Sequence, residues 1–181
     1  MEGPMKVFLA MLAAALLLPG CGNNTSGPSG NEGWKTYTTD NVTMQWMVEE
    51  DQTVLRVRLS APTTGWVGVG FDPEVMMQGA NFIIGYVSDG NGQIRDDFGT
   101  GVIAHQADTV LGGTSDVTLI AASEAGGVTE LEFTIPMASG DIYDTVLQEG
   151  ATHTILLAYG PNGADDFTTP HQYAKAVSLE L

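Results

Sequence analysis

The sequence predicts an all-β fold, a sandwich of antiparallel strands. Three features carry that prediction: short runs in which apolar and polar residues alternate, clusters of Gly, Asn, Asp and Ser between those runs, and no segment with sustained helical periodicity. An alternating strand has one apolar face to hide, and many such strands joined by tight turns hide it by stacking two sheets. About nine strands emerge in this way. They fall in a single domain, 34–181, long enough to bury a core.

Residues 1–20 stand outside that pattern. Lys6 precedes an apolar run at 7–18, shorter than the roughly 20 residues a spanning helix needs, and this is the build of a secretory signal. Leu18-Pro19-Gly20-Cys21 resembles the cleavage box of bacterial lipoproteins. Cys21 is therefore the expected lipidation point, tying the protein to a membrane of the bacterial cell envelope. Residues 21–33, rich in Gly, Asn and Ser, have the composition of a flexible tether. Cys21 is the sole cysteine, which excludes an intramolecular disulfide, thiolate zinc or iron–sulfur sites, and a Cys-x-x-Cys-His attachment.

The strands follow in order. Val42, Met44, Trp46 and Val48 alternate with polar or opposite-facing residues, and Leu55, Val57 and Leu59 alternate with Arg56 and Arg58. Both read as half-buried antiparallel strands with one wet face. In 66–71 the interleaved Gly68 and Gly70 weaken the strand but allow a bulky group, such as a flat ligand, or another backbone to approach its face closely. A Pro-containing loop with Met76 and Met77 leads to a strand at 81–87. That strand and the next, 93–98, flank a Ser-Asp-Gly-Asn-Gly turn, while 117–123 and 128–135 flank Ala125-Gly-Gly127. A short helical turn is expected within 136–147, and the apolar runs 153–159 and 173–181 complete the set.

Beyond Cys21, the five basic residues Lys35, Arg56, Arg58, Arg95 and Lys175 face 21 acidic ones, a balance of 5 − 21 = −16. Such a surface repels nucleic acid and anionic headgroups, and it attracts a basic protein partner.

Residues able to carry chemistry are few. Asp89-Gly-Asn91 lacks the Glu at the twelfth position that a calcium loop requires, so a tight turn is expected there. Asp96, Asp97, Asp165 and Asp166 read as solvated loop acids, and no Ser-His-Asp arrangement or phosphate-cradling loop emerges. His153 reads as a satisfied strand residue. His105 is expected to make a structural hydrogen bond, with a place in a ligand site as the alternative. A soft thioether at Met76 or Met77 and the late imidazole of His171 remain as possible metal ligands, and strand alternation does not choose between the two methionines.

Taken together, Gly65-Trp66-Val-Gly-Val-Gly-Phe71, Met77-x-Gly79-Ala80-Asn81, Asp97-Phe-Gly-Thr-Gly101, Asp108-Thr-Val-Leu-Gly-Gly113 and Pro170-His171 resemble a DOMON domain. Leu131 to Pro136 and Gly140 to Asp144 match segments of the bacterial secreted members. Asn81 stands where Asp is frequent, and Gln172 follows His171 where Gly is common. The resemblance implies an immunoglobulin-like sandwich. It is similar to the cytochrome domain of cellobiose dehydrogenase, which implies b-type haem (haem b) with Met77 and His171 as axial ligands of the iron. Two protein ligands would leave no open iron position, so the implied role is electron transfer with no enzyme step on this chain. A basic cytochrome c would suit its charge as a redox partner. The alternative is a carbohydrate-binding or adhesive module without haem, in which Trp66, Tyr86, Tyr159 and Phe167 would stack on a sugar.

Overall fold

The computed structural model describes residues 33–181. The expected signal at 1–20, Cys21 and the tether up to residue 32 lie outside the described residues.

Eleven strands and one helical turn follow in chain order: β1 (Lys35–Thr38), β2 (Thr43–Val48), β3 (Val54–Ala61), β4 (Val67–Phe71), β5 (Asn81–Ser88), β6 (Asn91–Gly101), β7 (Ala104–Ala107), α1 (Asp108–Leu111), β8 (Thr118–Ala125), β9 (Val128–Pro136), β10 (Thr152–Tyr159) and β11 (Tyr173–Glu180). They form two antiparallel sheets in the orders β1-β2-β3-β9-β8 and β11-β10-β4-β5-β6-β7. The all-β sandwich of antiparallel strands expected from alternation and turn signals, which the family resemblance made immunoglobulin-like, is the observed architecture. β3 shows why: its odd positions Leu55, Val57 and Leu59 are buried, while Arg56 and Arg58 face outward. Leu131 and Phe133 of β9 join them, and Val67, Val69, Phe71, Ile83, Ile155 and Leu157 of the second sheet close the same core from the other side.

Turn chemistry sets the register of two hairpins. Ser88 pairs with Asn91 across Asp89 and Gly90, whose φ values of 50° and 75° are both positive. Ala125 pairs with Val128 across Gly126 and Gly127, at 62° and 81°. Two consecutive positive φ angles match the twist of a hairpin, and Gly and Asp tolerate them.

In its secondary-structure elements the structure departs from the sequence-based expectation in two places. β1 and β7 are additional edge strands, each of four residues, too short for an alternation pattern to be read. The expected helical turn within 136–147 does not form; the helical turn is α1, at 108–111. In the former segment, side chains capture the backbone donors a helix would use. Ser139 Oγ accepts from the Asp141 N–H and Asp141 Oδ1 from the Tyr143 N–H, both at 3.0 Å.

On the outer face of the first sheet, Glu132 accepts from Arg56 Nε at 2.6 Å and from Arg58 Nε at 2.9 Å. The Arg58 guanidinium lies 4.0 Å above the Trp34 ring. Burial works to raise the Glu132 pKa, but the hydrogen bonds from Arg58 and Arg56 outweigh it and hold the group below its ordinary value. Glu132→Gln is expected to lower stability by about 1 kcal/mol, because the arginines remain a third exposed and solvent screens the loss. A depressed folded pKa contributes stability above the ordinary carboxyl value, and that contribution disappears as pH falls through the folded value. Urea midpoints of variant and parent should therefore differ at pH 7 and converge in acid.

Candidate functional site

One face of each sheet in a sandwich points outward and is ordinarily polar. On the six-stranded sheet that face carries a second apolar cluster, with Trp66, Phe82 and Ile84 each less than a tenth exposed. Glycines make it flat. A Cβ at Gly70 would lie 2.4 Å from Phe82 Cε1, so the Phe82 ring lies down over its cross-strand partner. A Cβ at Gly68 would lie 3.3 Å from Ile84 Cγ1, and the Trp66 ring covers Gly160 in the same manner. The close approach read from Gly68 and Gly70 is thus made by the protein's own side chains, which form an apolar floor.

Met77 reaches this floor from the end where β4 hands over to β5. Its side chain is half-buried against the cluster, while Met76 is 63% exposed with a positive φ of 55°. Two backbone hydrogen bonds fix the loop to β6: Gly79 N–H to Gly99 O and Gly99 N–H to Ala80 O, both 2.8 Å. The start of the loop is clamped as well, because Asp72 accepts from the Thr154 N–H at 2.8 Å and meets His153 Nδ1 at 2.6 Å. His153 is buried in this clamp, as its strand position suggested.

His171 arrives from the opposite end, just ahead of β11, and is exposed. The segment before it is pinned to the floor by Trp66 Nε1, which donates to Thr169 O at 3.0 Å. Asp166 shapes the turn, accepting from the Thr168 and Thr169 N–H groups, each at 2.6 Å. The Thr169 hydroxyl, followed by these backbone donors, holds the Asp166 carboxyl well below the usual range. Phe167 packs against Tyr86 with ring centroids 5.0 Å apart and the planes tilted by 58°, and the Arg95 guanidinium sits 4.3 Å from the Phe167 ring. Met77 and the His171 segment are thereby brought to one face of one sheet from its two ends. Met77 touches the floor, and His171 is exposed, two residues beyond the Thr169 anchor.

A second histidine also meets the floor. The His105 ring centroid lies 5.9 Å from that of Phe82, and His105 Nδ1 is 2.5 Å from Asp97 Oδ2. The structural hydrogen bond expected of His105 is present, and so is contact with the apolar face. Arg95 Nε binds the other Asp97 oxygen at 2.5 Å. Burial acts to raise the Asp97 pKa, and the bonds from His105 and Arg95 lower it by more.

Asp96 and Asp97 are not the solvated loop acids that the sequence suggested. Both lie in β6 and are 2% and 0% exposed. They point to opposite faces of the sheet, and Asp96 takes the inward side with Ile94 and Phe98. Burial, then the nearby Asp144 and Asp108, push Asp96 up to about 8 against the pull of the Asp116 N–H. Burial and the same acidic neighbourhood raise Asp108 to about 7, and burial is the leading cause that raises Asp144 to about 6. An acidic residue at an inward position between Ile94 and Phe98 was the sequence signal for this group.

Comparison with known proteins places the chain in context. A family profile described as "DOMON domain" matches residues 38–160. The mouse (Mus musculus) "DBH-like monooxygenase protein 2" is 25% identical over 139 residues, covering 76% of this chain and 22% of that protein. The chain thus spans about a fifth of the length of that relative. The cytochrome b domain of pyranose dehydrogenase from Coprinopsis cinerea superposes with a TM-score of 0.60 at 12% identity, covering 81% of this chain and 80% of that one. The cytochrome domain of Myriococcum thermophilum cellobiose dehydrogenase gives a TM-score of 0.60 at 12% identity, with 82% and 81% covered. At such identities the superpositions establish a shared fold.

Proposed function

The chain belongs to the DOMON domain family, and from that premise we propose that it is a b-type haem-binding electron-transfer domain, tethered to the cell envelope through a lipid on Cys21. The observation that carries the reading is the position of Met77, whose thioether chain lies on a flat apolar floor while Met76 faces solvent.

The residues present fit the group. Haem would need an apolar surface for its ring and soft or borderline donors for its iron. The glycine-bedded layer of Phe82, Ile84 and Trp66 supplies the surface. Met77 from one end and the exposed imidazole of His171 from the other are the residues that would hold the iron. When bound, haem b supplies one-electron exchange, and a thioether ligand raises the reduction potential. The work of the chain is positional. The paired hydrogen bonds of Gly79, Ala80 and Gly99 hold Met77 against the floor, and the Trp66 to Thr169 bond anchors the residue two places before His171. If Met77 and His171 both held the iron, the chemistry supplied would be electron exchange, with no site left on the iron for oxygen or a substrate.

The purified protein's absorption spectrum tests the reading. A red protein with a sharp Soret band supports it; one that stays colourless after reconstitution with haem overturns it. The carbohydrate alternative has less to stand on. Of its four candidate stacking residues, Trp66 and Tyr159 are 8% and 6% exposed, and Tyr86 and Phe167 pack against each other.

Charge directs the choice of partner. Arg56 and Arg58 are spent on Glu132 and Arg95 on Asp97, so the acidic surface is scarcely offset by free cations. A basic cytochrome c is the expected redox partner. Its association rate with this protein should fall by about tenfold or more between low and physiological salt, as read by stopped-flow electron transfer. A rate indifferent to salt would remove this assignment.

A further inference from the structure

We propose that Asp96, Asp116 and Asp144 form a binding site for a hard divalent cation of the calcium class, inside the sandwich and on the opposite side of β6 from the apolar floor. One carboxylate oxygen from each residue lies within 4.8 Å of the others. That is the largest separation two oxygens can have when each sits about 2.4 Å from one ion. The three side chains come from three separate stretches of chain: β6, the connection that enters β8, and the segment between β9 and β10.

Proximity of acids alone would not make a site, and the second observation is a set of buried acceptors with no donor. Asp96 is 2% exposed; its Oδ2 accepts from the Asp116 N–H at 2.9 Å, while its Oδ1 has no hydrogen-bond partner. Asn81, 5% exposed, donates through Nδ2 to Asp144 Oδ1 at 2.7 Å, and its own carbonyl oxygen is unpartnered. Asp108 is fully buried with neither carboxylate oxygen bonded. Orphaned buried acceptors are costly, and four such oxygens around three converging carboxylates call for positive charge. Among the described residues no basic side chain is bonded to these oxygens, and Arg95 is committed to Asp97 on the other face.

The donor set selects the ion. All the candidate ligands are oxygens, and no His or Cys is among them, which favours a hard cation over zinc or copper. Three carboxylates can offer between three and six oxygens, with the Asn81 carbonyl or water completing a calcium shell. Asp116 and Asp144 are only half-buried, which leaves the ion a route from solvent. Once bound, the cation would tie β6 to both connections and would brace Asn81, the first residue of β5, from behind. The proposal stands independently of the haem reading.

The test uses the whole protein stripped with EDTA. Calcium should bind saturably by titration calorimetry, and calcium at about 100 times its dissociation constant should raise the thermal midpoint by about 5–10 °C. Terbium should bind competitively with calcium and luminesce through Tyr143, whose backbone N–H is held by Asp141 beside the site. The double variant Asp96→Asn, Asp144→Asn should lose calcium binding and the midpoint shift, while its metal-free midpoint equals or exceeds that of the stripped parent, because buried like charges have gone. Absence of saturable binding at millimolar calcium overturns the proposal. So does an equal shift with sodium chloride at matched ionic strength, or a calcium shift that survives in the double variant.

Discussion

Met77→Ala and His171→Ala proteins are each expected to lose the six-coordinate haem spectrum and to retain haem far more weakly than the parent. Disturbing an outer-shell partner of a metal ligand already costs about 10–100-fold in affinity, so removal of a ligand should exceed that range. Met76→Ala is the internal control: its side chain is 63% exposed, and its loss should leave the spectrum unchanged. Met77→His should keep six-coordination but lower the reduction potential, since imidazole favours ferrous iron less than a thioether does. Spectra of the reconstituted proteins, with redox titration of Met77→His, read all four outcomes. The contrary result is specific. If Met77→Ala and His171→Ala keep the parental spectrum while His105→Ala loses it, the iron would be held by the histidine that Asp97 orients beside Phe82, and the proposed axial pair would be wrong.

Strand alternation was readable where each strand has a wet face. β3 gave itself away because Arg56 and Arg58 must point out if Leu55, Val57 and Leu59 point in. Both positive-φ hairpins were readable because Gly and Asp have few other reasons to stand together between apolar runs. Gly68 and Gly70 correctly signalled a close approach, but the sequence could not name what approaches. The answer is Phe82 and Ile84 on the neighbouring strand, which becomes known only with the register Gly70↔Phe82 and Gly68↔Ile84.

What escaped was long-range. Asp96 and Asp97 looked like loop acids because local sequence reports polarity and not the partner 20 to 48 positions away, as Asp116 and Asp144 prove to be for Asp96. The edge strands β1 and β7 escaped because four residues hold too few alternations to stand out. Met76 and Met77 could not be separated by periodicity, since the loop turns through a left-handed residue between the two strands. Expected anchoring at Cys21 falls outside the described residues, so its support remains the Leu-Pro-Gly-Cys box and the tether composition.

Gly99→Ala should be among the most destabilising single changes in the domain, although it adds one methyl group at a residue that no chemistry requires. Its Cβ would stand 1.8 Å from Met77 O, 2.8 Å from Met77 C and 3.2 Å from Ala80 N. These are backbone atoms, so no rotamer change relieves the clash. Overpacking of this kind costs about 1–3 kcal/mol. Moving the loop aside would also break the pair of 2.8 Å hydrogen bonds that join Gly79 and Ala80 to Gly99, at about 0.5–1.5 kcal/mol each. A loss of about 3–4 kcal/mol in urea unfolding is therefore expected. Gly101→Ala, two residues along the same strand, is the comparison: its nearest neighbour would be Ala104 Cβ at 3.8 Å, an ordinary contact, and the change should stay within about 0.5 kcal/mol. The two variants also separate stability from function. Because Gly99 presses on the carbonyl of Met77 itself, whatever Gly99→Ala protein folds should hold its thioether away from the floor and bind haem poorly, whereas Gly101→Ala protein should bind like the parent. Equal haem affinity in both would mean that the position of the Met77 backbone does not govern the site.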